Sequence, residues 1–336
     1  MHLMGTRKPH ILFIYKDFSH FTRKDYETLG TGFRVIKIRS PFGKSLPSFL
    51  WAGFLQFIRL IWFVPRCNLL FCWFADYHSF LPALFSRLSG KPLYIVLGGY
   101  DVTHVEELNY GSFSKKFRAF CTRYSMRVAA MNLPVAEALG AEARERAGEI
   151  RIKVMPTGYD PELYLPSRQK EDIVLTVSLT SSWQRYMIKG IDRFIELAHL
   201  MPSMQFVVIG MDQDAEQLIQ QPPPNLVVLP PSDHKALLEW YGKARFYAQF
   251  SRSEGLPNAV CEAMLRNCIP LGVRTGGIPD AIGEAGILLD EWDAEEMARS
   301  IKECPDPDEL ARAARQHTID QFHIERREKE LMALLK

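Results

Sequence analysis

Two carboxylates, Glu254 and Glu262, stand eight positions apart with the turn Gly255-Leu256-Pro257-Asn258 between them. Pro257 suits the first turn of a helix, where its missing N–H is not needed. The helix carrying Glu262 should therefore start there, with its unpaired amides and positive dipole end opening just past Glu254. Such a helix start seats an anion, and the flanking carboxylates accept hydrogen bonds from hydroxyls. A diphosphate joining a ribose to a hexose satisfies both demands, so the stretch reads as a candidate sugar-nucleotide site. The competing reading is structural. Glu262 and Arg266 at i and i+4 would form a surface pair worth only about 0.2–0.5 kcal/mol, and Gly-Leu-Pro would be an ordinary turn.

The elements that must position this stretch follow a strand-helix rhythm. Residues 245–250 read as the strand delivering it, and residues 269–273 as another strand, followed by Arg274-Thr275-Gly276-Gly277-Ile278-Pro279-Asp280. Further strands are expected at 173–177, 205–209 and 226–229, with helices at 190–200 and 235–242. The first half has strands at 10–15, 33–38, 68–74 and 92–97. In a parallel sheet the loops after strand carboxyl ends face the ligand crevice. They hold Asp17, Ser19, His20 and Arg23, then Asp76 and His78, then Gly98-Gly99-Tyr100-Asp101. The two glycines let the chain turn sharply and leave the Asp101 carboxylate at the floor of a cleft. His78 reads as a helix-start or core histidine rather than a base.

Residues 111–147 read as helical and basic, with Lys115, Lys116, Arg118, Arg123 and Arg127 among Phe117, Phe120 and Tyr124. That face is either solvated or turned to an acceptor or lipid. A strand at 152–155 leads into Pro156-Thr157-Gly158-Tyr159-Asp160-Pro161, the candidate hinge. Beyond 289 the chain reads as helical, ending in one charged helix from about 306 to 336. The expected division is 1–160, 161–313 and a final helix over 314–336.

Composition agrees with two α/β domains: 336 residues, 47% of them apolar, are enough for two cores. The net charge of +2 hides an asymmetry. Residues 1–160 hold 22 Lys and Arg against 12 Asp and Glu, and the remainder 19 against 27. A basic first half favours an anionic partner such as a phospholipid surface or a phosphate-bearing acceptor, or simply solvation; no nucleic acid is expected. Six cysteines without C-x-x-C spacing read as reduced core residues. No secretory pattern opens the chain, so a cytoplasmic protein is expected, or one peripheral on the inner face of the membrane. Residues 49–64 form an apolar run carrying Gln56 and Arg59, short of the roughly 20 residues that span a bilayer. They read as a helix buried against the sheet, the commoner case, or as one whose Trp/Phe face lies in a membrane interface, with Arg39, Lys44, Arg59 and Arg66 touching anionic headgroups.

Taken together, the motifs resemble those of retaining glycosyltransferases of family 4, which have the GT-B arrangement of two Rossmann-like domains facing a cleft. Val154-Met155-Pro156-Thr157-Gly158-Tyr159-Asp160 is similar to the family's domain junction, Lys189-Gly190 to its Lys-Gly pair, and Thr275-Gly276-Gly277-Ile278-Pro279-Asp280 to its Gly-Gly-x-Pro-Glu loop. The stretch from Glu254 to Glu262 is the most specific of these. The resemblance implies that Lys189 pairs with the donor diphosphate, Glu262 holds the ribose hydroxyls and Glu254 holds the donor sugar. The backbone around Gly255, Leu256, Pro257 and Asn258, with Gly276 and Gly277, completes the donor seat. It also implies a final helix that crosses back to the first domain. Asp101 is placed with Glu254 and Lys189 as a catalytic candidate, matching the aspartate of a first-domain histidine and aspartate pair whose histidine is missing here. The family's Gly-Arg before Lys-Gly is also missing: Val177-Ser178-Leu179 stands in its place, and Arg185 is either its substitute or a surface arginine. No Asp-x-Asp metal motif is evident in a cleft-facing loop, so no metal and no cofactor are expected beyond the nucleotide diphosphate sugar. The implied activity is retaining transfer of a hexose to a glycan or lipid-linked acceptor, of cell-surface polysaccharide or lipopolysaccharide type. The alternative is a non-catalytic sugar-nucleotide-binding or scaffold subunit. A nicotinamide dehydrogenase is excluded because neither the first strand nor the strand ending at Gly210 is followed by a G-x-G-x-x-G turn.

Overall fold

The computed structural model describes residues 8–43, 45–167 and 169–336, so Lys44, grouped above with the headgroup-facing arginines, lies outside the described residues. The chain divides into two compact units. Unit 1 runs to Pro156 and includes Glu325–Lys336, while unit 2 is Thr157–Ile324.

Unit 1 opens with β1 (His10–Tyr15), α1 (His20–Gly32), β2 (Arg34–Arg39), α2 (Leu46–Phe63), β3 (Leu69–Trp73) and α3 (Tyr77–Ser89). It continues through β4 (Leu93–Leu97), α4 (Lys116–Val128), β5 (Met131–Pro134) and α5 (Glu137–Ala147). The strands pair in parallel in the order β2-β1-β3-β4-β5. The central strands β1, β3 and β4 are near-continuous apolar runs because helices cover both faces of such a sheet, whereas the edge strand β2 is Arg-Val-Ile-Lys-Ile-Arg; Ile11 to Ile14 and Leu70 to Cys72 are fully buried. Ser19 caps α1, and Asp76 caps α3 through a capping box with Ser79.

Three expectations for this half change. The helical reading of 111–147 is interrupted by β5, whose four residues are too short to show a strand's alternation between two helices. The strand expected at 152–155 is a single bridge from Ile152 to Asn132. Finally, α2 is not a core helix. It buries Gln56 and Leu60 and turns Trp51 and Trp62 outward at 61% and 60% exposure, with Leu50, Phe54, Ile58 and Ile61 also exposed. Gln56 faces inward because its Nε2 donates to Ser40 Oγ at 3.1 Å and to His78 O at 2.7 Å. A buried amide needs such partners, and with Gln56 and Leu60 inside, the larger apolar residues of the helix lie on its outer face.

Unit 2 holds β6 (Glu171–Thr180), α6 (Trp183–Ile188), α7 (Ile191–Leu200), β7 (Gln205–Met211), α8 (Gln213–Glu216) and β8 (Leu226–Leu229). Then come α9 (His234–Lys243), β9 (Ala244–Gln249), α10 (Asn258–Leu265), β10 (Ile269–Val273), α11 (Ile278–Ile282), β11 (Ile287–Leu289), α12 (Ala294–Lys302) and α13 (Pro307–Phe322). The parallel sheet order is β11-β10-β9-β6-β7-β8, a doubly wound order whose direction of winding reverses between β6 and β9. The charged helix expected from 306 to 336 is two. His323 is extended (ψ 136°) and ends α13, and α14 (Ile324–Leu335) follows. Tyr159 bridges this break, its N–H donating to Phe322 O and its carbonyl accepting from Ile324 N.

Within unit 1, α14 contributes Arg327, whose guanidinium grips both oxygens of Asp25 at 2.8 and 2.7 Å and donates to the carbonyls of Met155 and Pro156. Asp25 also accepts from Trp73 Nε1 at 3.0 Å. Both ionic groups are buried.

Candidate functional site

Unit 2 places the loops after β6 and β9 on either side of the point where its strand order reverses, which is where open α/β sheets bind ligands. Lys189 comes from the first loop and Glu254 from the second, and Lys189 Nζ donates to Glu254 Oε2 at 2.6 Å. The same oxygen accepts from Gln249 Nε2 at 3.1 Å and Ser251 Oγ at 3.2 Å. All three donors converge on Oε2, so Oε1 has no partner among the described residues. The side chains are only 28% and 15% exposed, which strengthens a charge-assisted contact relative to one in water.

The backbone beneath is clamped. Arg252 N–H donates to Ile188 O at 2.7 Å, and its guanidinium donates to Met187 O at 2.6 Å and to both Asp192 oxygens at 2.8 and 2.7 Å. The segment carrying Lys189 is thus tied to the segment carrying Glu254. Gly190 takes a left-handed φ of 67° directly beneath the Phe250 carbonyl, where a Cβ would come inside 3.0 Å. Gly276, at φ 52°, lies in the same way against the Glu254 carbonyl, and Gly277 N–H donates to Gly255 O at 3.1 Å. Only glycine gives both the positive φ and the close approach.

Beyond Glu254, Gly255, Leu256 and Pro257 are buried, and Pro257 is the cap residue of α10 rather than a member of its first turn. The Asn258 side chain accepts from Thr157 Oγ1 at 3.0 Å and from Tyr159 Oη at 2.5 Å, which anchors the start of α10. Glu262 does not pair with Arg266, whose guanidinium donates to Leu165 O. Its Oε2 lies 4.0 Å from His234 Nδ1, and Tyr164 is beside it. Burial, the Glu262 charge and a hydrogen bond to Glu262 together push the Tyr164 phenol well up, so it stays protonated as a donor.

The structure brings Lys189, Glu254, the 255–258 turn, Glu262, Gly276 and Gly277 into one unit. Arg185, on α6, spends Nη1 on Leu179 O at 3.0 Å. Asp101 is in unit 1, at 1% exposure. Its buried carboxylate accepts from Gly99 N at 2.8 Å, Gly98 N at 3.1 Å and Ala75 N at 3.3 Å, so it organises two loops. Burial raises its pKa to about 6 against the pull of those amides. His78 is buried on α3, with Nε2 at 2.7 Å from Trp73 O. Sequence reasoning missed Gln249, Ser251 and Tyr164. The available signal was a glutamine closing the otherwise apolar run Phe246-Tyr247-Ala248.

These two parallel α/β units define the class. Over 97% of this chain and 98% of the other, the fold is that of sucrose-phosphate synthase from Thermosynechococcus elongatus, at 15% identity and a TM-score of 0.78. HepE from Anabaena, solved in complex with UDP-glucose, matches at 15% identity and TM-score 0.73 over 97% and 99% of the chains. A glycosyltransferase from Rickettsia africae matches at 14% and 0.68 over 97% of each. The fold is GT-B. Residues 173–306, which carry every element from Lys189 to Asp280 described above, match the family Glycosyl transferases group 1. No curated protein matches the chain significantly.

Proposed function

We propose that the protein is a retaining, metal-independent hexosyltransferase, moving a sugar from a nucleotide diphosphate donor to a glycan or lipid-linked acceptor of a cell-surface polysaccharide. The observation that carries this reading is the state of Glu254. Lys189, Gln249 and Ser251 hold Oε2, while Oε1 is open beside a lysine at the switch point of the family-matched unit. Oε1 accepts a hydroxyl of the donor sugar, and Lys189 moves from Oε2 to the diphosphate as that group gains charge. Glu262, oriented by Tyr164 and His234, accepts the ribose hydroxyls. The amides at the start of α10 face the phosphates, adding a fixed positive end without a metal ion, and the Gly276-Gly277 turn, with its Gly277 N–H donated to Gly255 O, holds that loop against them. The departing phosphate oxygen takes the acceptor proton on the same face, which gives retention. The reaction takes place in the cytoplasm, with the exposed face of α2 and the basic unit 1 turned to the inner membrane surface.

A thermal-shift screen of uridine and guanosine diphosphate sugars, starting with UDP-glucose, identifies the donor. Lys189→Ala and Glu254→Ala should each lower transfer by about 10²–10³-fold, and transfer should persist in a chelator. Wild-type turnover in the double variant overturns the reading. Donor binding with neither hydrolysis nor transfer makes the protein a binding subunit instead.

A further inference from the structure

The segment Pro156-Thr157-Gly158-Tyr159, which reads as a hinge in the sequence, carries two hydroxyls that reach the start of α10. Thr157 and Tyr159 both belong to unit 2 and are buried. The Tyr159 main chain is held on both sides of the break between α13 and α14, donating to Phe322 O at 2.8 Å and accepting from Ile324 N at 2.9 Å. With the backbone fixed in this way the ring is set in place, and its Oη comes within 2.5 Å of Asn258 Oδ1. Burial pushes the phenol pKa well up, so the hydroxyl keeps its proton. Thr157 Oγ1 lies 3.0 Å from the same Asn258 oxygen and 3.0 Å from Tyr159 Oη.

These contacts decide which way the Asn258 amide is turned. A separation of 2.5 Å belongs to O–H···O bonds and is too short for N–H···O, so Oδ1 rather than Nδ2 faces the two hydroxyls. The two donors use both lone pairs of that oxygen. Nδ2, with two N–H groups to give, has no partner among the described residues, and Asn258 is only half-buried. The residue is the first of α10, where unpaired backbone amides and the positive helix end already favour an anion. An aspartate would suit that helix end better but would set a like charge against a phosphate; the amide adds a donor instead. Left to itself the carboxamide is free to turn, since its terminal torsion is broad and two-fold. The flipped amide would present an acceptor oxygen to the anion.

We infer that Asn258 Nδ2 donates to a phosphate oxygen of the nucleotide diphosphate, and that Tyr159 and Thr157 are positioning residues that keep the amide turned for that contact. The inference rests on the donor reading above and adds to it two residues that touch no ligand. Their hydroxyls act through Asn258 alone, which separates this role from general support of the helix.

Calorimetric titration of the full chain with UDP and with GDP tests this. For the nucleotide that wild type binds, Asn258→Ala should raise Kd about tenfold. Asn258→Asp should raise it about 100-fold or more, because a carboxylate oxygen then replaces the donor while Oδ1 keeps its two hydroxyls. Thr157→Val/Tyr159→Phe, which keeps both side-chain shapes, should raise Kd about fivefold in the wild-type background. In Asn258→Ala the same pair should add less than about twofold, since the hydroxyls have nothing left to hold. Melting curves accompany each variant, and the near-isosteric Asn258→Asp keeps the test available if the double variant does not fold. An unchanged Kd in Asn258→Ala or Asn258→Asp overturns the contact. A loss from Thr157→Val/Tyr159→Phe that persists in full in Asn258→Ala makes the two residues supports of the fold and overturns the positioning role. If neither UDP nor GDP binds wild type, the donor reading itself fails and takes this inference with it. If one of them binds wild type and the Asn258 variants alike, that reading stands and this inference alone falls.

Discussion

Gly190→Ala puts the geometry of the Lys189–Glu254 pair to a direct test. The alanine must hold a φ near 67°, which costs an L-residue about 1–2 kcal/mol. Its Cβ also falls inside 3.0 Å of Phe250 O, so the two segments must part by about 1 Å, beyond what packed backbone absorbs freely. The clamp from Arg252 to Met187, Ile188 and Asp192 transmits that shift to Lys189. A 2.6 Å contact then becomes one too long for a strong charge-assisted bond. A misplacement of about 1 Å costs on the order of 10²-fold in rate, or about 2.7 kcal/mol of barrier. Destabilisation of about 2–4 kcal/mol should lower the melting temperature of unit 2 by roughly 5–15 °C. The assays are calorimetric donor titration, single-turnover transfer and thermal unfolding. Gly90→Ala is the control: its φ is 69° but nothing lies within 4 Å of the added Cβ, so it should cost about 1 kcal/mol and leave the donor Kd unchanged. If Gly190→Ala folds and keeps both wild-type Kd and kcat/KM, the placement of Lys189 against Glu254 does not govern the site.

Three further outcomes are expected. Asp25→Ala strands the buried Arg327 guanidinium and should lower unit 1 stability by about 3–5 kcal/mol in denaturant melts, while donor affinity in unit 2 is unchanged. Asp101 holds its proton more tightly folded than unfolded, at about 6 against an ordinary 3.8. The stability it contributes is therefore present in full below its unfolded pKa and lost as pH rises through about 6. Wild type should lose ground to Asp101→Asn over that window, and parallel stability curves would refute the assignment. Arg185→Ala should change the donor Kd by less than about threefold, since the guanidinium already serves Leu179 O; a loss of about tenfold or more would instead make it the missing phosphate-binding arginine.

Much of unit 2 could be read from the chain because its chemistry is local. Glu254 and Glu262 declare themselves by charge at a turn, and Lys189-Gly190 and Thr275-Gly276-Gly277 by glycines whose reason is steric: two carbonyls, of Phe250 and Glu254, pass too close for any side chain. What the chain hid was tertiary. Gln249 and Ser251 have no spacing signature, and become partners of Glu254 only when β9 ends beside the β6 loop. The same holds for Asp101, whose role is decided by three amides from two loops. For α2, periodicity could not tell which face is inside, because apolar residues stand on both sides of the helix and the two acceptors that hold Gln56 inward, Ser40 and His78, come from distant segments.

The split of unit 1 across the chain has a consequence for synthesis. Asp25 is made early, and its partner Arg327 emerges only after all of unit 2. Until then the nascent first unit has a carboxylate to bury with the Trp73 indole in reach but no cation, a deficit of about 3–5 kcal/mol against a typical domain stability of about 5–15 kcal/mol. The amino-terminal half, with its outward-facing apolar helix, gains that cation only when residues 325–336 reach it.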